Sequence, residues 1–194
     1  LMIGHAHMGG FGSIEGVAAA KAEIIAGLRP EGIAILNADD ARAAAMAELA
    51  PARVLTFSAR GRQADLRAEN VDLDAAARAA FDLHLPGLAE PRRVQLAVAG
   101  VHNVSNALAA AGLALAAGIA PELIAERLGS VSIESPHRMD ISELSGDLLL
   151  IDDSYNANID SMTAALAVLP ALAGERRRVV VISEMLELGE SSAA

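Results

Sequence analysis

Hydrophobic and polar positions follow first a helical and then a strand pattern at the start of the chain. Apolar residues recur at helical spacing over 14–28, directly after Ser13, a residue type that caps helix N-termini. Gly32 ends this segment, and 33–36 is a short apolar run typical of a buried strand. An Ala-rich helix and a second apolar strand, 53–57, follow. This order predicts a parallel, right-handed crossover unit.

The pattern changes after residue 64 and returns to helices after residue 99. Short apolar runs at 66–73, 80–85 and 94–98 are separated by turn residues and predict a small antiparallel sheet. Two helices are predicted next, at 104–117 and 121–128, the second with Pro at its start and Gly after its end. The first part of the chain therefore predicts helices on a parallel sheet, with a small antiparallel sheet added.

A Ser-Pro-His-Arg segment at 135–138 has the composition of a linker, and a second α/β unit begins after it. We expect strands at 139–144 and 147–151, a helix at 161–172 and a further strand at 178–182. The predicted fold class is α/β, with two units that each hold only part of a parallel sheet. We therefore expect a fragment of a larger enzyme.

Composition narrows the classes of function. The net charge of −10 argues against binding of nucleic acid over the whole surface, although helix N-termini and a few Arg side chains can still bind phosphate locally. The absence of cysteine excludes disulfides and zinc–thiolate sites. No uninterrupted apolar run has the length of a membrane-spanning helix, so we expect no membrane insertion and a cytoplasmic protein.

Two segments near the N-terminus contain candidate reactive or metal-binding side chains. Lys21 lies in the middle of the apolar stripe of the helix predicted at 14–28. A lysine there extends to solvent, pairs with a carboxylate or has unusual chemistry. His5 and His7 lie upstream in a Gly-rich turn. They are either surface side chains of a loop or zinc ligands, and the second reading is weak in a chain without cysteine.

Two further segments place amide and carboxylate side chains at the starts of helices. Asn103 and Asn106 share one helical face, where their amides either cap the helix or pair with a donor and an acceptor on an adenine edge. The loop at 151–158 lies between an apolar strand and a helix N-terminus, a common ligand-binding position in α/β sheets. The alternative for this loop is a solvated turn.

Six segments together resemble motifs of the Mur ligases, and among these the MurF type, which adds D-alanyl-D-alanine to a UDP-muramoyl peptide. In chain order they are Ile3–Gly10, Gly12–Lys21, Gly100–Ala110, Ser135–Met139, Ile151–Asn158 and Ser183–Glu190. The resemblance implies that 1–136 are the C-terminal part of a central ATP-binding domain. It implies that 137–194 begin a Rossmann-like C-terminal domain.

The resemblance also implies a role for each candidate residue. Lys21 is implied to be carbamylated and, together with His7, to hold Mg²⁺, so these two are the expected catalytic residues. The residues implied to bind ATP are His102, Asn103, Asn106, Arg138 and Asp153. The residues implied to lie at the substrate are Tyr155, Asn156 and Asn158, of which the last can also cap the next helix.

The implied activity is ATP-dependent amide ligation in peptidoglycan synthesis, through an acyl phosphate of a UDP-MurNAc-tripeptide, with D-Ala-D-Ala as the second substrate. The intact enzyme is expected to be monomeric. The chain contains no Gly-x-x-x-x-Gly-Lys-Ser/Thr phosphate loop, so we expect it to be inactive by itself.

Two alternatives stay open at this point. Five residues depart from the family's usual pattern: Met2, Gly9, Val101, Ser183 and Glu184. These departures motivate a non-catalytic α/β binding or assembly module derived from such a ligase. Another ligase of the same superfamily, of the folylpolyglutamate synthase type, is disfavoured by the Tyr-Asn-Ala-Asn sequence at 155–158.

Overall fold

A computed structural model describes residues 2–4, 8–132 and 135–185. The α-helices in this part of the chain are α1 (Met8–Phe11), α2 (Ile14–Ala26), α3 (Ala41–Ala45), α4 (His102–Ala116), α5 (Pro121–Leu128) and α6 (Ile159–Ala173), and a 3₁₀-helix (Met46–Leu49) follows α3. The strands are β1 (Ile33–Asn37), β2 (Arg53–Ser58), β3 (Leu66–Leu73), β4 (Arg78–His84), β5 (Arg92–Ala99), β6 (Asp140–Leu144) and β7 (Leu148–Asp152). The predicted α/β class is confirmed.

Strands β1 to β5 form one mixed sheet, in the order in which they occur in the chain. The β1–β2 and β2–β3 pairs are parallel, whereas the β3–β4 and β4–β5 pairs are antiparallel. The predicted antiparallel part is therefore joined edge to edge with the parallel part. The Asp65 carboxylate helps to make this junction, because it accepts 2.8 Å hydrogen bonds from the backbone N–H and the hydroxyl of Thr56 and so holds the start of β3 beside β2.

Helix α4 covers one face of this sheet and closes the larger core. Phe57, Phe81 and Leu108 are at most 1% exposed in this core. Gly112 allows the close approach of α4 to β1, since a Cβ at that position would lie 2.7 Å from Cγ2 of Ile35. The sheet is thus held against α4 by packing of aliphatic and phenyl groups, as expected for a chain so poor in aromatic residues.

Helix α2 covers the opposite face of β1, because successive strand residues point to opposite sides of a sheet. Ala34 and Leu36 of β1 pack with Val17 of α2, which is 2% exposed. The N-terminal segment adds Ile3 to this second core. The start of the chain is therefore anchored beside the carboxyl ends of the parallel strands.

The second unit consists of the β6–β7 hairpin and α6. Asn158 caps α6 through a 2.9 Å hydrogen bond from the backbone N–H of Ser161, whose hydroxyl accepts a bond from the backbone N–H of Asn158. Val168 of α6 packs on Ala77 and Ala99 of the first unit. This small apolar contact brings the two units together beside the end of β5.

The strand predicted at 178–182 is not formed. Residues 177–185 have no regular secondary structure, and the side chain of Val181 is 95% exposed. A strand requires a hydrogen-bonded neighbour, and in the described part of the chain β7 pairs with β6 alone. Among the described residues, no helix has the length and apolar character needed to cross a membrane.

Candidate active site

The end of β5 and the start of α4 form one wall of the candidate site. Between them Gly100 has a φ of +103°, and His102 begins the helix. Nδ2 of Asn103 donates a 2.8 Å hydrogen bond to the carbonyl oxygen of Ala99, and Oδ1 of Asn103 accepts a 2.9 Å bond from Nδ2 of Asn106. Asn103 is buried and Asn106 is exposed, so the first amide fixes the orientation of the second.

Glycine at position 100 satisfies two requirements, a left-handed backbone and close contact with a ring. A Cβ there would lie 2.5 Å from Cε1 of His102. We expect Gly100→Ala to lower the free energy of unfolding by about 1–3 kcal/mol, because a Cβ strains the left-handed backbone and the partly exposed imidazole of His102 must also move aside. Urea denaturation measures this change.

Gly118 supplies the matched control. Its φ is +81°, and a Cβ there meets no heavy atom within 4 Å among the described residues. Gly118→Ala therefore introduces backbone strain only and should cost about 1–2 kcal/mol. Equal losses of stability in the two variants would show that contact with the imidazole of His102 does not matter.

The charge of Asp153, in the second unit, acts on the imidazole of His102, in the first unit. Partial burial of the imidazole lowers the pKa of His102, and the negative charge of Asp153 acts in the opposite direction. One carboxylate oxygen of Asp153 accepts a 2.9 Å hydrogen bond from the backbone N–H of Met139. Within the described residues, the other oxygen accepts none. Asp153 therefore keeps an acceptor available beside the start of α4.

The turn that carries Arg138 is bound tightly to the end of β7. Nδ1 of His137 lies 2.7 Å from Oδ2 of Asp152, and the carbonyl oxygen of His137 accepts a 3.0 Å hydrogen bond from the backbone N–H of Tyr155. The guanidinium carbon of Arg138 lies 4.1 Å from the centroid of the Tyr155 ring, within the range of cation–π attraction. Arg138, expected from the sequence to lie in a linker, is thus held beside Asp153.

Asp152 is expected to titrate at unusually low pH. Hydrogen bonds from His137, and then from the hydroxyl and backbone N–H of Ser154, lower the pKa of Asp152 from 3.8 to about 2. Because this pKa is lower in the folded state, the stabilisation is complete above the unfolded value, about pH 4, and is lost as the pH falls towards 2.

Carboxyl ¹³C chemical shifts measure this titration directly. We expect a midpoint near pH 2 for Asp152, and a higher midpoint in His137→Ala, where the largest cause of the shift is removed. A midpoint near pH 4 in the unsubstituted protein would contradict the hydrogen bonding around Asp152.

The N-terminal segment lies beside Lys21. Nζ of Lys21 donates a 3.3 Å hydrogen bond to the carbonyl oxygen of Met2, and the backbone N–H of Ile3 donates to Oδ2 of Asp40. Lys21 is exposed, at the border of the apolar stripe of α2 instead of inside it. His7, the predicted metal ligand, lies outside the described residues. The structure thus brings Lys21 to the segment that leads into His7.

The same segment reaches the second unit. A Cβ at Gly4 would lie 2.6 Å from Oδ2 of Asp160, which is in the first turn of α6. The second unit therefore approaches the first at two places, with Asp153 near His102 and Asp160 of α6 at the N-terminal segment. The predicted nucleotide side and the predicted metal side border the same junction.

The described residues by themselves do not make up a magnesium site. They include no group of three or more His, Cys, Asp or Glu side chains that could hold a metal ion. Asp40, the carboxylate bonded to the N-terminal segment, also caps α3 by accepting hydrogen bonds of 2.9 Å and 3.2 Å from the backbone N–H groups of Arg42 and Ala43. Magnesium binding by His7 and a carbamate on Lys21 therefore stays a prediction.

The three residues predicted to lie at the substrate differ in how far they are available. Oδ1 of Asn158 is committed to the cap of α6. Oδ1 of Asn156 accepts a 2.9 Å hydrogen bond from the backbone N–H of Ala157. Tyr155 is 62% exposed, and its ring lies under the guanidinium of Arg138. Tyr155 and the amide nitrogen of Asn156 are the groups best placed for a ligand.

A polar network behind the site was not foreseen from the sequence. The Asp39 carboxylate accepts 2.7 Å hydrogen bonds from the hydroxyl of Ser58 and from the backbone N–H of Ala59. Ser58 is fully buried, and Oδ1 of Asn37 accepts a 2.9 Å bond from the backbone N–H of Asp39. The network joins the carboxyl ends of β1 and β2. Its signal was the group of polar residues Asn37, Asp39 and Asp40 at the end of an apolar strand.

Both parts of the chain match models of known protein domains. A model of the Mur ligase middle domain matches residues 1–114, and a model described as the glutamate ligase domain of Mur ligases matches residues 137–194. The chain belongs to the Mur ligase family. The family predicted from the sequence motifs is thereby confirmed.

Similar Mur ligases include proteins of the MurF type. The chain is 42% identical over 198 residues to a UDP-N-acetylmuramoyl-tripeptide–D-alanyl-D-alanine ligase of Mycobacterium bovis, covering 100% of the chain and 38% of that protein. A crystal structure of MurF from Acinetobacter baumannii has a TM-score of 0.87 at 37% identity, covering 98% of the chain and 40% of MurF.

A MurF ligase from Thermotoga maritima, solved in complex with ADP, has a TM-score of 0.73 over 99% of the chain and 43% of that ligase. At 21% identity this likeness shows the Mur ligase fold alone. The chain spans about two fifths of the length of these relatives.

Proposed function

We propose that this chain forms part of a MurF-type ligase, which uses ATP to join D-Ala-D-Ala to a UDP-MurNAc-tripeptide. The observation that carries the proposal is the contact of the Arg138 turn with the end of β5. Met139 packs on the cluster that contains Ala99 and donates its backbone N–H to Asp153. The end of β5 comes directly before the helix start where Asn103 holds Asn106. Groups suited to the base, the ribose and the phosphates of one nucleotide thus border one junction. The 42% identity to a MurF-type ligase over the whole chain supports the same activity.

Each of these groups fits a part of ATP. The exposed amide of Asn106 offers a donor and an acceptor to the adenine edge. The second oxygen of Asp153 is an acceptor for ribose hydroxyls. Arg138 carries a permanent charge and a planar fork that binds phosphate oxygens bidentately. Asn103 is a positioning residue in this scheme, because its amide is buried and holds Asn106.

We propose Lys21, as a carbamate, and His7 as the residues that would hold Mg²⁺ on the other side of the junction. A divalent cation there would supply positive charge to the phosphates of ATP. The position of Nζ of Lys21 beside the segment that leads into His7 supports this pairing.

The reaction would have two displacements. A carboxylate oxygen of the tripeptide attacks the γ-phosphorus of ATP, the bond to ADP breaks, and an acyl phosphate forms. The amine of D-Ala-D-Ala then attacks the acyl carbon, phosphate leaves with the carboxylate oxygen, and the amine loses a proton as the amide forms. Arg138 would stabilise the charge on the transferred phosphoryl group, and closure of the junction would exclude water.

We further propose a domain boundary between residues 136 and 137, so that the junction lies between two domains. The 194 residues contain no phosphate-loop motif. We infer that phosphate cradling needs further sequence, and that this chain alone does not complete the reaction.

The decisive experiment uses a tripeptide substrate whose terminal carboxylate is labelled with ¹⁸O. The full-length protein is expected to release phosphate that contains one ¹⁸O atom. It should form the peptide product only when D-Ala-D-Ala is present. Arg138→Ala should reduce the rate by about 10²–10³. Unlabelled phosphate would contradict the acyl phosphate, and the absence of any ATP-dependent product would favour the non-catalytic module.

Four of the five departures from the family pattern do not favour that module. Met2 is 50% exposed and Val101 is 55% exposed, and neither side chain supports the hydrogen bonds of the site. Ser183 and Glu184 are also exposed. These changes are compatible with a working ligase.

A further inference from the structure

The backbone around Arg138 has an unusual conformation. His137 and Met139 have φ values of +61° and +49°, in the left-handed region that residues with a Cβ seldom adopt. Two such residues on either side of one arginine persist only where the surroundings hold them in place. Three hydrogen bonds to the end of β7 and the segment after it do so here.

These bonds fix the turn on both sides of Arg138. Asp152 binds the imidazole of His137 at 2.7 Å, and the backbone N–H of Tyr155 donates a 3.0 Å bond to the carbonyl of His137. On the other side, the backbone N–H of Met139 donates a 2.9 Å bond to the Asp153 carboxylate. The base of the Arg138 side chain therefore has one defined position.

The guanidinium of Arg138 is held much less strongly than its backbone. Among the described residues it forms no ion pair or hydrogen bond, and its contact is with the ring of Tyr155 at 4.1 Å. A bidentate bond to a phosphate is stronger than cation–π attraction at an exposed ring. A phosphate group within reach would therefore displace the ring as the partner of the guanidinium.

We propose that His137, Asp152 and Tyr155 are positioning residues for Arg138. The His137–Asp152 pair fixes the backbone that carries the arginine, and the Tyr155 ring holds the guanidinium until an anionic phosphate takes it. The inference rests on the proposed function in one respect, that the anion is a phosphate of the nucleotide.

The position of the Arg138 guanidinium on the Tyr155 ring can be tested without any nucleotide. Tyr155 is the only tyrosine, and the chain has no tryptophan. The ring should shift the side-chain NMR signals of Arg138 upfield, and Tyr155→Leu should abolish this shift. Asp152→Ala and His137→Ala should each reduce it by roughly half or more, because the anchored backbone positions the guanidinium. An unchanged shift in both of these variants would overturn the proposal.

The chain offers a matched control in Asp147. This carboxylate lies in the β6–β7 turn and pairs with Arg176 at 2.8 Å, away from the turn that carries Arg138. Asp147→Asn removes a paired carboxylate of the same hairpin and should leave the Arg138 signals where they are. A similar change in Asp147→Asn and Asp152→Ala would mean that general loosening of the hairpin is the cause, and would overturn the proposal.

Binding of ATP and adenosine to the full-length protein tests whether the positioning of Arg138 matters for binding the phosphates. Arg138→Ala and Asp152→Ala should each lower the affinity for ATP by roughly fivefold or more and leave the affinity for adenosine unchanged. The double variant should bind ATP no more weakly than Arg138→Ala does. Additive losses, or equal losses for adenosine, would overturn the inference. If the unsubstituted protein binds neither ligand, the proposed function fails, while the NMR shifts still decide whether Asp152 positions Arg138.

Discussion

Replacing Lys21 with alanine is expected to reduce the ligase activity of the full-length protein by about 10²–10³, the usual effect of removing one well-placed electrostatic group. The folding stability should change by less than about 0.5 kcal/mol, because Lys21 is exposed and makes one 3.3 Å hydrogen bond to the Met2 carbonyl. Steady-state rates and thermal unfolding of the same preparations measure the two effects. A large loss of rate without a loss of stability is the result expected of a functional side chain.

Lys21→Arg is the matched control, since it keeps the positive charge and the donor but does not form the carbamate. It should be as inactive as Lys21→Ala if the carbamate is the functional group. Small carboxylates should partly restore Lys21→Ala, because they supply the missing anionic oxygens. An active Lys21→Arg variant would contradict carbamylation.

Lys21 is the only lysine of the chain, and the other fourteen of its fifteen basic residues are arginines. A chain incubated with ¹³C-bicarbonate therefore has one side chain on which a carbamate can form. We expect one side-chain carbamate resonance, which is lost in Lys21→Ala. The N-terminal amine gives a separate signal that persists in the variant and serves as an internal reference.

Replacing Asn103 with alanine is expected to lower both stability and nucleotide affinity. The buried carbonyl of Ala99 loses its 2.8 Å donor and Asn106 loses its 2.9 Å acceptor. Unsatisfied buried groups of this kind cost about 1–3 kcal/mol. For a protein of this size we expect the melting temperature to fall by roughly 3–10 °C. ATP affinity should fall about tenfold, because Asn106 is then no longer held in one orientation.

Asn106→Ala separates the two effects. Its side chain is exposed, so water can replace it as the donor to Oδ1 of Asn103, and the loss of stability should stay below about 1 kcal/mol, while ATP affinity should fall about tenfold. Calorimetric titration of Mg²⁺–ATP and thermal unfolding measure both quantities. If Asn103→Ala is destabilised but binds ATP normally, the Asn103–Asn106 pair belongs to the fold and not to the site.

The local elements of the fold were largely predictable because their signals are local. Ser13 caps α2 through a 3.0 Å hydrogen bond from the backbone N–H of Gly16, and Asn158 caps α6, as their residue types suggest. The apolar runs predicted β1, β2 and the β6–β7 hairpin to within about two residues. The exposed strand at 178–182 shows the limit of this reasoning, since an apolar run forms a strand only beside a partner.

The candidate site was predictable as a set of residue types but not as an arrangement. Residue type suggested that Asn103 and Asn106 could bind an adenine edge, yet only the fold reveals that one amide is buried and holds the other. The pairing of His137 with Asp152, fifteen residues apart, is likewise invisible in the sequence. Residue type indicates what a side chain can donate or accept, and the fold decides which partner it meets.

The sequence by itself determined the family and the α/β class and suggested which side chains bind a nucleotide, because motif chemistry and hydrophobic periodicity are properties of neighbouring residues. Only the tertiary structure decided that the turn carrying Arg138 packs beside the end of β5 through Met139, which also binds Asp153, and that Lys21 lies against the N-terminal segment. Those placements depend on small contacts between distant segments, such as Val168 on Ala99. Such contacts follow from packing in three dimensions, for which no local pattern along the chain is a signal.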